Sequence, residues 1–148
     1  MSSPEGSTVT FRRAPADVRP RVIVAFARKL EREVARGRAF DCLITGDAEL
    51  RRLNRAFLGH DYATDVLSFP AAEGPRLGDL AISLARARAQ ARQRGHSAAE
   101  EIRILMLHGV LHLLGMDHEN DGGRMARAER RWQARLRLPG GLIERAML

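Results

Sequence analysis

The chain has 148 residues, the length of one domain, and a chain of this size buries about 70% of its unfolded surface on folding. Cys42 is the only cysteine, which excludes an internal disulfide and is typical of proteins in a reducing cytosol. No segment has the composition of a secretion signal or a membrane span, so we expect a cytoplasmic protein without membrane contacts.

The charge balance favours polyanionic partners. The formal net charge is +7 and the pI is about 11.2, and Lys29 is the only lysine. The fixed fork of an arginine side chain fits phosphate, and a basic surface speeds the encounter with nucleic acid. The arginines of segment 84–94 spread around the predicted helix, however, which favours general solubility over a dedicated nucleic-acid track.

Periodicity and turn residues predict about four short strands interspersed with about five helices. In chain order the elements are strand 8–12, helix 18–36, strand 40–45, helix 47–57, strand 64–69, strand 79–83, helix 84–94, helix 97–114 and a helix after residue 121. Residues 1–6 are small and polar and are expected to be disordered. The pattern predicts an α+β fold, with residues 1–148 forming a single compact domain.

Four positions predict where helices begin. Asp17, Asp47 and Ser83 each precede a helical pattern as capping residues do. Ser97 and Glu100 have the spacing of a capping box at the start of the longest apolar helix.

A turn over residues 71–78 allows a hairpin between the third and fourth strands.

The apolar helix carries a chemical motif at its end. His108 and His112 are four residues apart, so they lie on one face of the helix and can bind one ion. Gly115 predicts a left-handed turn that returns His118 to the same ion. Three histidine ligands leave one tetrahedral position for water, as in catalytic zinc sites. The alternative is that the three histidines only fill polar niches in the core.

The spacing of these histidines also matches the H-E-x-x-H-x-x-G-x-x-H pattern of metzincin proteases. Gly109, however, occupies the position of their glutamate base, which argues against peptidase chemistry. Asp117 is a candidate for orienting a ligand histidine, or for a local backbone cap.

In the last helix an apolar stripe is formed by Met125, Ala128, Trp132 and Leu136. The apolar residues of the tail either dock on the domain or fray: Leu142, Ile143 and Leu148.

Four blocks of the sequence form a set: Leu53-Asn54, Thr64-Asp-Val-Leu-Ser-Phe-Pro70, Leu77-Gly-Asp79 and the histidine segment 108–118. In this order they resemble the YbeY family of bacterial metal-dependent endoribonucleases. The resemblance implies a mixed four-stranded sheet and one zinc ion per chain, held by His108, His112 and His118 at the end of the buried central helix.

The resemblance also implies a function. Members of the family are single-strand-specific endoribonucleases that act late in maturation of the 3′ end of 16S ribosomal RNA and in ribosome quality control. The implied partners are ribosomal RNA in the small subunit, a small-subunit ribosomal protein and an assembly GTPase, all in the cytoplasm.

One departure from the family pattern concerns catalysis. The family places an arginine directly after the aromatic residue that is Phe57 here, and this chain has Leu58 instead. Arg55 lies three residues earlier on the same helical face and is our candidate replacement. Ala63 replaces a family proline.

Two other functions stay open: a non-catalytic RNA-binding assembly factor with a structural zinc, and a zinc metalloprotease.

Overall fold

The computed structural model describes residues 6–117 and 121–139. The expectations for residues 1–5, for His118 and for the tail after Pro139 lie outside the described residues. Of the six residues expected to be disordered, only Gly6 is described, and it is buried.

The described residues form one mixed sheet with helices around it, which confirms the α+β prediction. The elements are β1 (Thr8–Phe11), α1 (Pro20–Glu33), β2 (Phe40–Thr45), α2 (Asp47–Leu58), β3 (Val66–Pro70), β4 (Gly78–Ser83), α3 (Leu84–Arg94), α4 (Ala98–Leu113) and α5 (Arg124–Leu136). The strand order is β1-β2-β4-β3; β1, β2 and β4 run parallel to one another, and β3 runs antiparallel to β4. The predicted hairpin of β3 and β4 is therefore present.

The two faces of the sheet pack against different helices, because alternate residues of a strand point to opposite faces. On one face Cys42 pairs with Leu80, and both lie in the main core. Burial, and to a smaller extent the charge of Asp41, raises the pKa of the Cys42 thiol. On the other face Leu67 pairs with Ala81, and both pack against Leu50 of α2.

Helix α4 is the central element of the main core, as its apolar composition predicted. Eleven of its 16 residues are buried, and it packs against α1, α3, α5, β3 and β4. A helix that is apolar on nearly all sides is stable only when other elements cover it. Among the described helices, none is long and apolar enough to cross a membrane.

The predicted caps at Ser83 and at Ser97 with Glu100 are confirmed. The Ser83 side chain accepts a hydrogen bond from the Arg86 backbone N–H, and both hydrogen bonds of the capping box are present. Each of these caps joins residues three positions apart, so local sequence is enough to predict it.

The predicted caps at Asp17 and Asp47 are wrong. Helix α1 begins at Pro20 after Arg19, and the Asp17 carboxylate instead accepts a hydrogen bond from Arg88 Nε at 2.8 Å. Asp47 lies inside the first turn of α2, where its carboxylate accepts from Ser83 Oγ at 2.7 Å and Arg86 Nε at 3.0 Å. In both cases a long-range partner engages the carboxylate that was expected to cap the helix.

A cluster of polar contacts around Glu49 fastens the start of α2 to the sheet. Its carboxylate accepts two hydrogen bonds from Arg12, both at 3.0 Å, one from Thr45 at 2.7 Å and one from Arg52 at 2.8 Å. The hydrogen bonds from Arg12 and then Thr45 lower the pKa of Glu49 from its ordinary 4.5 to about 2.

This lowered pKa predicts an acid dependence of stability. Because the carboxylate ionises more readily in the folded chain, its stabilisation is full above pH 4.5 and is lost as the pH falls through about 2. We expect Glu49→Gln to lower the free energy of unfolding at neutral pH by about 1 kcal/mol, measured by urea denaturation. The difference in the free energy of unfolding between Glu49→Gln and the unmodified protein should become smaller as the pH falls below 4.5.

The control is Asp61→Asn, because Asp61 is half exposed and has one described ion-pair partner, Arg51. Its effect should be smaller than that of Glu49→Gln. A Glu49→Gln effect that does not change between neutral and acidic pH would contradict the prediction.

Candidate functional site

Two of the predicted metal ligands converge in the last two turns of α4. The Nε2 atoms of His108 and His112 are 3.2 Å apart, and their ring centroids are 4.8 Å apart. His108 is buried and His112 is partly exposed, so the pair lies where the core meets the surface. The four-residue spacing thus has the geometric consequence that the sequence predicted.

The third predicted ligand, His118, lies outside the described residues. Within residues 6–117 and 121–139, no group of three or more histidine, cysteine, aspartate or glutamate side chains is placed to hold a metal ion. Convergence of all three histidines therefore stays a prediction.

The chain reverses at Gly115, as the sequence predicted. Gly115 has a φ of 93°, a left-handed conformation that glycine adopts without steric cost. Its N–H donates to the His112 carbonyl at 2.9 Å, and the Met116 N–H donates to the Leu111 carbonyl at 3.1 Å. These two bonds form a Schellman motif, which turns the backbone at the end of the histidine helix.

A buried carboxylate, which the sequence analysis missed, lies behind His108. Glu129 of α5 is 1% exposed, and its Oε2 is 3.4 Å from His108 Nδ1. Gln133, also buried, donates from Nε2 to Glu129 Oε1 at 3.3 Å. The available signal was periodicity: Glu129 lies four residues after Met125, so it falls on the buried face of α5.

The histidine pair opens into a cavity of about 400 Å³. The other walls come from the end of α2 and from β3 with its preceding loop: Leu58, Thr64, Asp65, Val66, Leu67, Ser68 and Pro70. The Thr-Asp-Val-Leu-Ser block and the histidine block, far apart in sequence, therefore enclose the same space.

Two hydrogen bonds hold the β3 wall in place. Ser68 Oγ donates to the Gly109 carbonyl at 3.2 Å, which joins β3 directly to the histidine helix. Asp65 Oδ2 accepts from Gln90 Nε2 of α3 at 3.1 Å. The wall therefore keeps its position relative to both helices.

The two residues that bear on the missing family arginine have different positions. Leu58 lines the histidine cavity and is 46% exposed. Arg55 is exposed on α2 and is absent from the residues that line this cavity. The Arg51 hydrogen bond lowers the pKa of Asp61, with a smaller contribution from the charge of Arg55. The role of Arg55 stays a prediction.

Gly109, which stands where a metzincin has its glutamate, is pressed against the sheet. A Cβ atom at this position would lie 2.7 Å from Leu80 Cδ2 and 3.2 Å from Leu80 Cδ1. Leu80 is itself 2% exposed and has neighbours on all sides. A glutamate at this position would therefore point into the core, away from the cavity.

The fold defines this chain as a small α+β domain of a known architecture. It matches the solution structure of TM1509 from Thermotoga maritima with a TM-score of 0.60, over 88% of this chain and 91% of that one, at 23% sequence identity. At this identity the likeness concerns the fold alone.

Sequence comparison then gives the family. The family model described as endoribonuclease YbeY matches residues 14–137. The chain is 72% identical over 145 residues to the endoribonuclease YbeY of Solibacter usitatus, with 98% of each chain covered. It is 43% identical over 119 residues to that of Thermus thermophilus, covering 76% of this chain and 86% of the relative. The chain belongs to the endoribonuclease YbeY family.

The packing at Gly109 predicts a sensitivity to small substitutions. We expect Gly109→Ala to lower the free energy of unfolding by about 1–2 kcal/mol, because overpacking against the buried Leu80 costs more than the roughly 1 kcal/mol that alanine gains in helix propensity. Urea denaturation measures the change. Gly46→Ala is the control, since a Cβ at Gly46 meets open space and its φ is −96°. Equal effects of the two substitutions would contradict the packing argument.

Proposed function

We propose that this protein is a hydrolytic, metal-dependent endoribonuclease. The observation that carries the proposal is the pair of histidine Nε2 atoms, 3.2 Å apart beside a cavity, in a chain of the endoribonuclease YbeY family. The net charge of +7 supports a polyanionic substrate.

The donor atoms suit zinc. Zinc–nitrogen bonds of about 2.0–2.1 Å at tetrahedral angles place two ligand nitrogens roughly 3.3 Å apart, and the His108 and His112 Nε2 atoms are 3.2 Å apart. His108, His112 and His118 would hold one zinc ion per chain. A bound zinc supplies hydroxide near neutral pH and a Lewis acid for a phosphoryl oxygen.

Glu129 prepares His108 for that role. A carboxylate that accepts a hydrogen bond from Nδ1 keeps the proton on that nitrogen and leaves the Nε2 lone pair for a metal. The contact of 3.4 Å between His108 Nδ1 and Glu129 Oε2 supports this arrangement. Gln133 holds the far oxygen of the same carboxylate, which limits its rotation.

The finer biological assignment follows from the family resemblance. We propose single-strand-specific cleavage in the late maturation of the 3′ end of 16S ribosomal RNA, together with ribosome quality control, in the cytoplasm. The proposed partners are the small ribosomal subunit with its RNA, one of its proteins and an assembly GTPase.

A second candidate is a non-catalytic assembly factor that binds ribosomal RNA and keeps zinc for structure. Leu58 favours it, because an apolar side chain lines the cavity where the family places an arginine. Peptidase activity is disfavoured, because the packing of Gly109 against Leu80 leaves no room for the glutamate base of metzincins.

Metal analysis and two substrates test the proposal. We expect purified protein to contain about one zinc per chain and to cut single-stranded ribosomal RNA but not casein. His112→Ala should lose both zinc and cleavage. Glu129→Gln should keep its fold and lose about 10- to 100-fold in zinc affinity, measured by competition with a chelating dye.

The other outcomes separate the candidates. Protein that contains zinc and binds RNA but does not cut it would support the assembly factor. Degradation of casein would support the peptidase. Cleavage that persists in His112→Ala would contradict a histidine-bound metal site.

Arg55 is our proposed replacement for the family arginine. We expect Arg55→Ala to lower kcat for RNA cleavage by about tenfold, since its guanidinium would no longer stabilise charge on the phosphate. Leu58→Arg, at a half-exposed position, should raise kcat. Arg52→Ala also removes one positive charge from α2, together with an ion pair to Glu49, and is the control for net charge. Unchanged turnover in Arg55→Ala would discard this role.

A further inference from the structure

A second, larger concave space lies away from the histidine cavity. It has a volume of about 1010 Å³ and shares no lining residue with that cavity. Its walls are the end of α1 with the following turn, the end of α4, and one face of α5. Its principal residues, which we call the α1–α5 groove, are Arg36, Arg38, Arg124, Arg131, Trp132 and Arg135.

The lining of this groove is strongly basic. Five arginines line it, and Glu33 is its only acidic residue. Six arginines that the structure describes form ion pairs with carboxylates: Arg12, Arg51, Arg52, Arg76, Arg86 and Arg88. None of the five groove arginines forms an ion pair with any described residue. Their charges therefore concentrate positive potential in one concavity.

The groove also has an aromatic and apolar part. Trp132 is partly exposed, and the Arg135 guanidinium lies over its ring, 5.2 Å from the centroid. Leu111, Leu114 and Met116, at and just after the end of α4, contribute apolar side chains to the lining. Cationic side chains beside an aromatic ring that is partly open to solvent are features that bind single-stranded nucleic acid, with phosphates on the cations and a base stacked on the ring.

We propose that the α1–α5 groove binds single-stranded RNA as a second contact, separate from the histidine cavity. The arginines bind successive phosphates, and an unpaired base stacks on the part of the Trp132 ring that neither the core nor Arg135 covers. Duplex RNA fits less well, because its stacked and paired bases cannot reach the ring or the apolar floor. The identity of the ligand rests on the proposed function, whereas the position of the groove rests on the charges and contacts above.

Two matched double variants test the groove without changing net charge between them. One replaces Arg131 and Arg135 by alanine. The other replaces Arg127 and Arg130, exposed arginines of the same helix that do not line the groove. Binding of a fluorescent 12-nucleotide oligouridine to the metal-bound protein is followed by anisotropy, and a gel of each sample checks that the oligouridine is still intact.

We expect the groove variant to bind oligouridine roughly tenfold more weakly. Because two phosphate contacts are lost, the slope of log affinity against log salt concentration should become less steep by about 1.4. The control variant should lose less than about twofold. Trp132 is the only tryptophan in the chain, so its fluorescence should be quenched when oligouridine binds the unmodified protein.

Equal losses in the two double variants would overturn the proposal, because net charge would then explain them. Unquenched Trp132 fluorescence, or tighter binding of a duplex, would also overturn it. The proposed function fails separately: unmodified protein that cuts no RNA would refute the nuclease while groove-dependent binding persists. RNA cutting without any groove effect would refute only the groove.

Discussion

The close packing of α4 against the sheet is the constraint on which the rest of the structure depends. Gly109 lets the helix approach Leu80 without a side chain between them, and the Gly109 carbonyl accepts a hydrogen bond from Ser68 of β3. This approach brings His108 and His112 against the wall made by β3 and its preceding loop. A bulkier contact would separate the helix from the sheet and open the cavity between them.

The same packing makes polar groups on α4 and α5 energetically expensive, so each of them needs partners. Glu129 is almost fully buried and is placed between His108 and Gln133. A carboxylate at such a position costs stability unless it is hydrogen-bonded or paired with a cation. The ion that we propose at His108 would add positive charge close to this carboxylate and would offset part of that cost.

Composition cannot distinguish the arginines that pair with carboxylates from the arginines that line the groove. Six described arginines pair with carboxylates and stabilise the fold locally, as Arg12 does with Glu49 and Arg86 with Asp47. Along α5 and the end of α1, arginines such as Arg131 and Arg135 have no described acidic partner and line a groove. The even spread of arginines around α3 therefore did not represent the whole surface.

What the sequence alone determined is local. The spacing of His108 and His112, the capping box at Ser97 and the sheet elements were predictable, because each depends on residues a few positions apart. What the tertiary structure decided is long-range: Asp47 bonds across to Ser83 and Arg86 instead of capping its helix, and Glu129 lies beside His108 from 21 residues away. Such contacts arise only when folded elements meet, because burial then forces polar groups to find whatever partner lies nearest in space.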